Sequence, residues 1–217
     1  MTPALQSHAT LALCRLAPVI PVLVIDDLAQ AEPLARALVA GGLPVLEVTL
    51  RTPCAIDAIA AMAKVPGARV GAGTVLTAHD ASRAKAAGAE FVVSPGSAPG
   101  LIAACVAQRL PLLPGAVTAT EVMTLLELGY RMLKFFPAGP GGPPLLNALN
   151  GPLPHAMFCP TGGVSLANAT DYLSLTNVVC VGGSWVAPKT LMQSGDWDAI
   201  TALAQEAAAL PRRQPDS

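Results

Sequence analysis

The chain has 217 residues, 53% hydrophobic and only 12% charged, with a formal net charge of −1, against roughly 25% charged in an average globular protein. With no basic run and 4% aromatic residues, it lacks the electrostatic footprint of a nucleic-acid or membrane-surface binder, so small-molecule chemistry is the expectation. Its longest apolar run, APVIPVLVI, is far below the roughly 20 residues that span a bilayer. The N-terminus has no positive segment ahead of its apolar part, which Arg15 interrupts, so no secretory signal is read and the cytoplasm is the expected compartment.

In chain order, a short helix is predicted near residues 3–15. Short β-rich runs then alternate with Ala-rich stretches of helical period, the pattern of βα units around a parallel sheet. The predicted strands are 18–25, 44–50, 68–75, 91–94, 111–116, 131–136, 156–161 and 178–182, with stretches such as LAQAEPLARALVAGG between them. Near-equal βα units of this number predict an α/β fold, a (β/α)8 TIM barrel with an extra N-terminal helix. A single domain over residues 1–217 is expected, with a C-terminal tail about 211–217. An open doubly wound sheet would want a Gly-rich turn after the first strand, where IDDLAQ stands instead. The five cysteines are scattered without a C-x-x-C pair, so they read as buried small hydrophobes and not as a disulfide framework or zinc site.

Chemistry in such a barrel sits at the C-terminal ends of the strands. Lys134 lies mid-strand in RMLKFF, sharing a face with Met132 and Phe136, and neither side of that strand is expected to be water. A snorkelling lysine is the ordinary reading. The alternative is an amine whose pKa desolvation lowers, free to attack a carbonyl carbon. Glu47 inside PVLEVTL must be paired or functional, either as a structural partner of Lys134 or Arg51 or as a general base beside the amine. Arg51, closing TLRT, is either a surface arginine or a bidentate holder of a carboxylate. GAGT at 71–74 offers glycines that let a ligand approach the backbone, with the Thr74 hydroxyl as donor. Gly-Gly pairs after the last two strands, with Ser184 behind the second, suggest exposed N–H groups for a phosphate. His8, His79 and His155 are isolated, Asp26 and Asp27 read as helix caps, and no cluster has metal-ligand spacing.

PVLEVTLRT, GAGTV, SPG, LKFFPA, CPTGG and VGGSW, in that order, resemble the KDPG/KHG aldolases, the class I pyruvate aldolases that act on 2-dehydro-3-deoxy-6-phosphogluconate in the Entner-Doudoroff route. The match runs over about residues 15–210. The resemblance implies that Lys134 forms a Schiff base with the substrate ketone, that Glu47 moves protons, and that Arg51 and Thr74 hold the pyruvate carboxylate. It implies that Gly162, Gly163, Gly183 and Ser184 hold the phosphate, with Phe136 and Thr161 completing the substrate-binding set. It also implies no metal and no cofactor beyond the covalent imine, a keto-acid phosphate as the small-molecule partner, 4-hydroxy-2-oxoglutarate as an alternative substrate, and a homotrimer. AGPGGPPLL after the sixth strand departs from the family pattern and leaves the following helix open. A phosphosugar epimerase or isomerase would use the same Gly-Gly loops without an imine, and a metabolite-binding barrel would need neither Lys134 nor Glu47.

Overall fold

The computed structural model describes residues 1–213, so residues 214–217 of the expected tail lie outside the described residues. The first helix, α1, spans Pro3–Cys14 behind an N-cap at Thr2, with proline in its first turn, where its missing N–H costs nothing. Among the described residues nine strands follow: β1 Val19–Leu23, β2 Val45–Thr49, β3 Arg69–Gly73, β4 Phe91–Val93, β5 Leu112–Leu113, β6 Gly115–Ala116, β7 Met132–Phe135, β8 Met157–Pro160 and β9 Val181–Gly183. Helices alternate with them: α2 Ala31–Ala40, α3 Ala55–Met62, α4 Ala78–Ala86, α5 Pro99–Gln108, α6 Ala119–Leu128, α7 Gly142–Asn150 and α8 Leu166–Leu173, with α9 Lys189–Ser194 and α10 Trp197–Ala208 after β9.

The fold is α/β with parallel strands. One sheet runs β5-β4-β3-β2-β1-β9 and the other β6-β7-β8. Their meeting point is the predicted fifth strand, 111–116, which breaks at Pro114 because proline has no N–H for the ladder. Its first half pairs with β4 and its second with β7, while the Pro114 carbonyl accepts from the Lys134 N–H at 2.8 Å. On the other side, single bridges Phe158–Val178 and Thr161–Gly182 join the β8 segment to that of β9. The predicted eighth strand, 178–182, is therefore mostly a lone bridge followed by a short strand at 181–183.

Burial divides into two clusters. One fills the layer between strands and helices, with Leu34, Leu38, Leu46, Ile59, Leu133, Phe135 and Phe158 among its members. The other lies on the opposite strand faces, where Ile20, Val45, Phe91, Val93, Leu113, Met132, Cys159 and Cys180 meet Leu13 and Cys14 from α1. The face that α1 buries also holds Gln6, Ser7 and Thr10, polar groups that need partners. Ser7 Oγ accepts the N–H groups of Arg131 and Met132, both at 2.8 Å, and Gln6 Oε1 accepts from the Tyr130 hydroxyl at 2.6 Å. The helix thus satisfies the N-terminal end of β7, the strand that carries Lys134.

Helix starts follow local chemistry. Thr77 and Thr118 form capping boxes with Asp80 and Glu121, and the N–H groups of Thr118 and Val117 hold the Glu121 carboxyl below the usual range. The Pro/Gly-rich segment after β7 does build a helix. α7 starts at Gly142 with proline in its first turn, behind a left-handed Gly141. No described helix is long and apolar enough to cross a membrane.

Candidate active site

Alternation along β2 turns Val45, Glu47 and Thr49 to the face opposite the helices, and along β7 it turns Met132 and Lys134 there too. Registers Glu47–Gly71 and Lys134–Cys159 set the two side chains among their neighbours. The Lys134 Nζ lies 3.1 Å from Glu47 Oε1, with the two side chains only 6% and 4% exposed. Nζ also sits 5.4 Å from the centroid of the Phe136 ring, within cation–π range. Neither residue snorkels to water.

Room for the carboxylate comes from Gly73, where a Cβ would overlap Glu47, and Gly71 likewise clears the Phe91 ring. The glycines of GAGT therefore admit side chains of the protein itself; the expectation that they let a ligand approach the backbone is replaced by this packing reason. Thr74, just beyond, is held at φ 58°, a conformation that a β-branched residue adopts at a cost of about 1–3 kcal/mol and that concentrates at functional sites.

Lys134 and Glu47 close the inner end of a cavity of about 440 Å3 bordered by Arg51, Thr74, Phe136, Thr161, Gly162, Gly163 and Ser184. Exposure rises outward from the buried pair to Arg51, Phe136, Gly163 and Ser184 at the rim. Water is thus excluded only at the inner end, where electrostatic effects are strongest. Beneath the pair the floor is apolar and thiol-bearing. Hydrogen bonds with Cys14 and Cys159, together with burial, push the Cys180 thiol well up, so it adds no charge there.

Of the ten residues expected in the site, nine border this cavity; Gly183 does not, and Gly182 does. Gly183 is buried beneath the Trp185 ring, which a Cβ would overlap, whereas a Cβ on Gly182 would meet Thr161. The one-residue displacement follows from alternation in β9, where Gly182 and Ser184 share a face. Sequence reading also missed Val22, Val24, Thr49, Pro95 and Val164 as lining residues. The period-2 pattern points to Thr49 two residues after Glu47, but apolar lining carries no local signal. Asp27 caps the turn at Leu28–Gln30 as expected, while Asp26 instead pairs with Lys189 at 2.7 Å.

The family model described as KDPG and KHG aldolase matches residues 11–203. The chain belongs to the KDPG and KHG aldolase family. It is 52% identical over 194 residues to the 2-dehydro-3-deoxy-phosphogluconate aldolase of Dickeya dadantii, covering 88% of this chain and 91% of that one. Among solved structures, the 2-keto-3-deoxy-6-phosphogluconate aldolase of Zymomonas mobilis ZM4 with 3-phosphoglycerate superposes with a TM-score of 0.89 at 52% identity, over 94% of this chain and 97% of that chain. The KDPG aldolase of Legionella pneumophila, holding pyruvate captured at low pH as a covalent carbinolamine, gives 0.89 at 45% identity over 92% and 98%. In this chain the buried Lys134–Glu47 pair lies in contact at the inner end of the cavity, below the rim that carries Arg51 and Ser184.

Proposed function

We propose that this chain is a class I aldolase that cleaves 2-dehydro-3-deoxy-6-phosphogluconate to pyruvate and glyceraldehyde 3-phosphate. The observation that carries the reading is the Lys134 Nζ–Glu47 Oε1 contact of 3.1 Å at the closed end of the cavity. The carbinolamine of the Legionella pneumophila relative supports an amine–pyruvate adduct here, and the 3-phosphoglycerate complex of the Zymomonas mobilis relative supports a three-carbon phosphate at the outer end.

Proton transfer from Nζ to the adjacent carboxylate leaves a neutral amine, which adds to the C2 ketone; Glu47 gives that proton to the carbinolamine hydroxyl, which departs as water and leaves the iminium with Glu47 ionised again. Glu47 then accepts the C4 hydroxyl proton while the C3–C4 bond breaks and its electron pair moves into the iminium, giving an enamine and the free aldehyde. Protonation at C3 and hydrolysis by one water release pyruvate and regenerate Lys134. Arg51 and Thr74 hold the pyruvate carboxylate, Thr161 and Phe136 border the reacting carbons, and Gly162, Gly163 and Ser184, with Gly183 contributing only through its backbone, surround the phosphate. The electron sink is the iminium itself, so no step calls on a metal or a separate cofactor. The epimerase or isomerase alternative has no support from the relatives.

The same reading makes the two sheets one closed (β/α)8 barrel forming a single domain over the chain. The continuity of β5 with β6 through Pro114 and the bridges between β8 and β9 support closure. The enzyme works in the cytoplasm as a homotrimer. Support for assembly comes from exposed large apolar side chains, Leu5 at 59%, Leu76 at 55% and Met123 at 53%, which a partner would cover. Light scattering across micromolar dilution should return three times the chain mass, and a stable monomer would refute the trimer.

Substrate choice rests on the outer end of the cavity. A carboxylate introduced there repels a phosphate dianion far more than it affects a short unphosphorylated acid. Ser184→Asp is therefore expected to raise KM for 2-dehydro-3-deoxy-6-phosphogluconate much more than for 4-hydroxy-2-oxoglutarate. Equal losses would remove the phosphate from this end and make the unphosphorylated hydroxy-keto acid, cleaved to pyruvate and glyoxylate, the natural substrate.

A further inference from the structure

Between the end of β2 and the start of α3, residues 50–54 carry Arg51 to the rim of the cavity. Among the described residues its guanidinium makes no hydrogen bond or ion pair, so its direction is inherited from the backbone that bears it. The Leu50 N–H donates to the Gly73 carbonyl of β3 at 2.8 Å, and side chains on both sides of Arg51 fasten the segment to β1 or its extension. Thr49 Oγ1 donates to the Leu23 carbonyl at 2.8 Å. Thr52 Oγ1 donates to the Ile25 carbonyl at 2.6 Å, and Cys54 Sγ donates to the same oxygen at 3.1 Å. Pairing of β1 with β2 ends at Leu23–Val48, so Ile25 lies past the ladder, on a residue whose side chain is fully buried. A carbonyl there must find donors elsewhere, and its two lone pairs are filled by the two side chains that follow Arg51. Cys54 is thus the exception among the five cysteines: half-buried and a donor, where the others are buried.

We infer that Thr52, assisted by Cys54, is a positioning residue that aims Arg51 at the substrate carboxylate. The inference rests on the reading of Arg51 as the carboxylate holder. Thr52 touches no reacting atom: it is absent from the cavity lining and acts only by tying the loop to the end of β1. Losing that tie lets the guanidinium wander, which weakens binding of the ground state and transition state alike and so appears in KM and not in kcat.

The test uses the full chain and steady-state cleavage of 2-dehydro-3-deoxy-6-phosphogluconate. Thr52→Val keeps the shape and removes the donor; it should raise KM roughly tenfold, the scale of one hydrogen bond with its acceptor left unmet, and leave kcat within about twofold. Thr52→Ser should restore the parent KM. In an Arg51→Met background, Thr52→Val should raise KM no further, since nothing is left to aim. Should Thr52→Val not fold, Cys54→Ala removes the second donor and should give a smaller rise that also vanishes in the Arg51→Met background. A parental KM for Thr52→Val, or an equal rise in both backgrounds, overturns the inference while leaving Arg51 as carboxylate holder. A parental KM for Arg51→Met overturns both.

Discussion

Borohydride added to the protein with pyruvate is expected to fix a pyruvate-derived mass on Lys134, and the Lys134→Arg protein to show neither the adduct nor cleavage. The selectivity follows from surroundings. Lys64, Lys85 and Lys189 are exposed, Lys85 donating to the Gln108 carbonyl and Lys189 paired with Asp26 beside a separate surface pocket, so none shares the desolvated surroundings of Lys134. Lys134 is buried at the end of a cavity with a carboxylate 3.1 Å away to take its proton. Arginine keeps a positive charge opposite Glu47 and so avoids stranding a buried carboxylate, yet it does not lose its proton and forms no imine. Peptide mass analysis after reduction reads the outcome. An adduct on any of the other three lysines would sink the assignment, and loss of turnover in EDTA would overturn the metal-free reading.

Glu47→Gln should lower kcat by about 10²-fold or more, the usual scale for a positioned acid/base group, while trapping by borohydride survives in weakened form. The amide retains shape and a hydrogen-bond acceptor for Lys134, but it cannot receive the C4 hydroxyl proton. The substitution has a second effect, because it leaves a buried amine facing a neutral group; breaking a buried pair costs about 3–5 kcal/mol. Thermal unfolding monitored by circular dichroism should show that loss, and kcat should be measured well below the variant's transition so that the two effects separate. A near-parental kcat with lowered stability would reduce Glu47 to a structural counter-ion.

The ordering of strands and helices was legible because its signals are local. Alternation with a period of two, Ala-rich helical stretches and capping residues such as Thr77 and Thr118 each act within a few residues of chain. The same locality explains why Lys134 and Glu47 stood out: a charge inside an apolar strand is anomalous wherever the strand later packs. The order of motifs then carried the family resemblance.

Only the tertiary structure decided which of these groups meet. Lys134 and Glu47 are 87 residues apart in sequence and touch because of pairing registers between distant strands. Nothing in PLLPGA tells that Pro114 parts two sheets while still offering its carbonyl to Lys134. The glycines were visible but their purposes were not, since Gly73 is small for the sake of Glu47 and Gly183 for Trp185. The polar stripe Gln6, Ser7 and Thr10 on α1 gave no sign of its partners at the head of β7. Sequence alone determined the elements and the unusual residues they carry, because backbone propensity and burial of apolar faces act over short windows; contacts between elements awaited the fold, because strand register and close packing are properties of pairs remote along the chain.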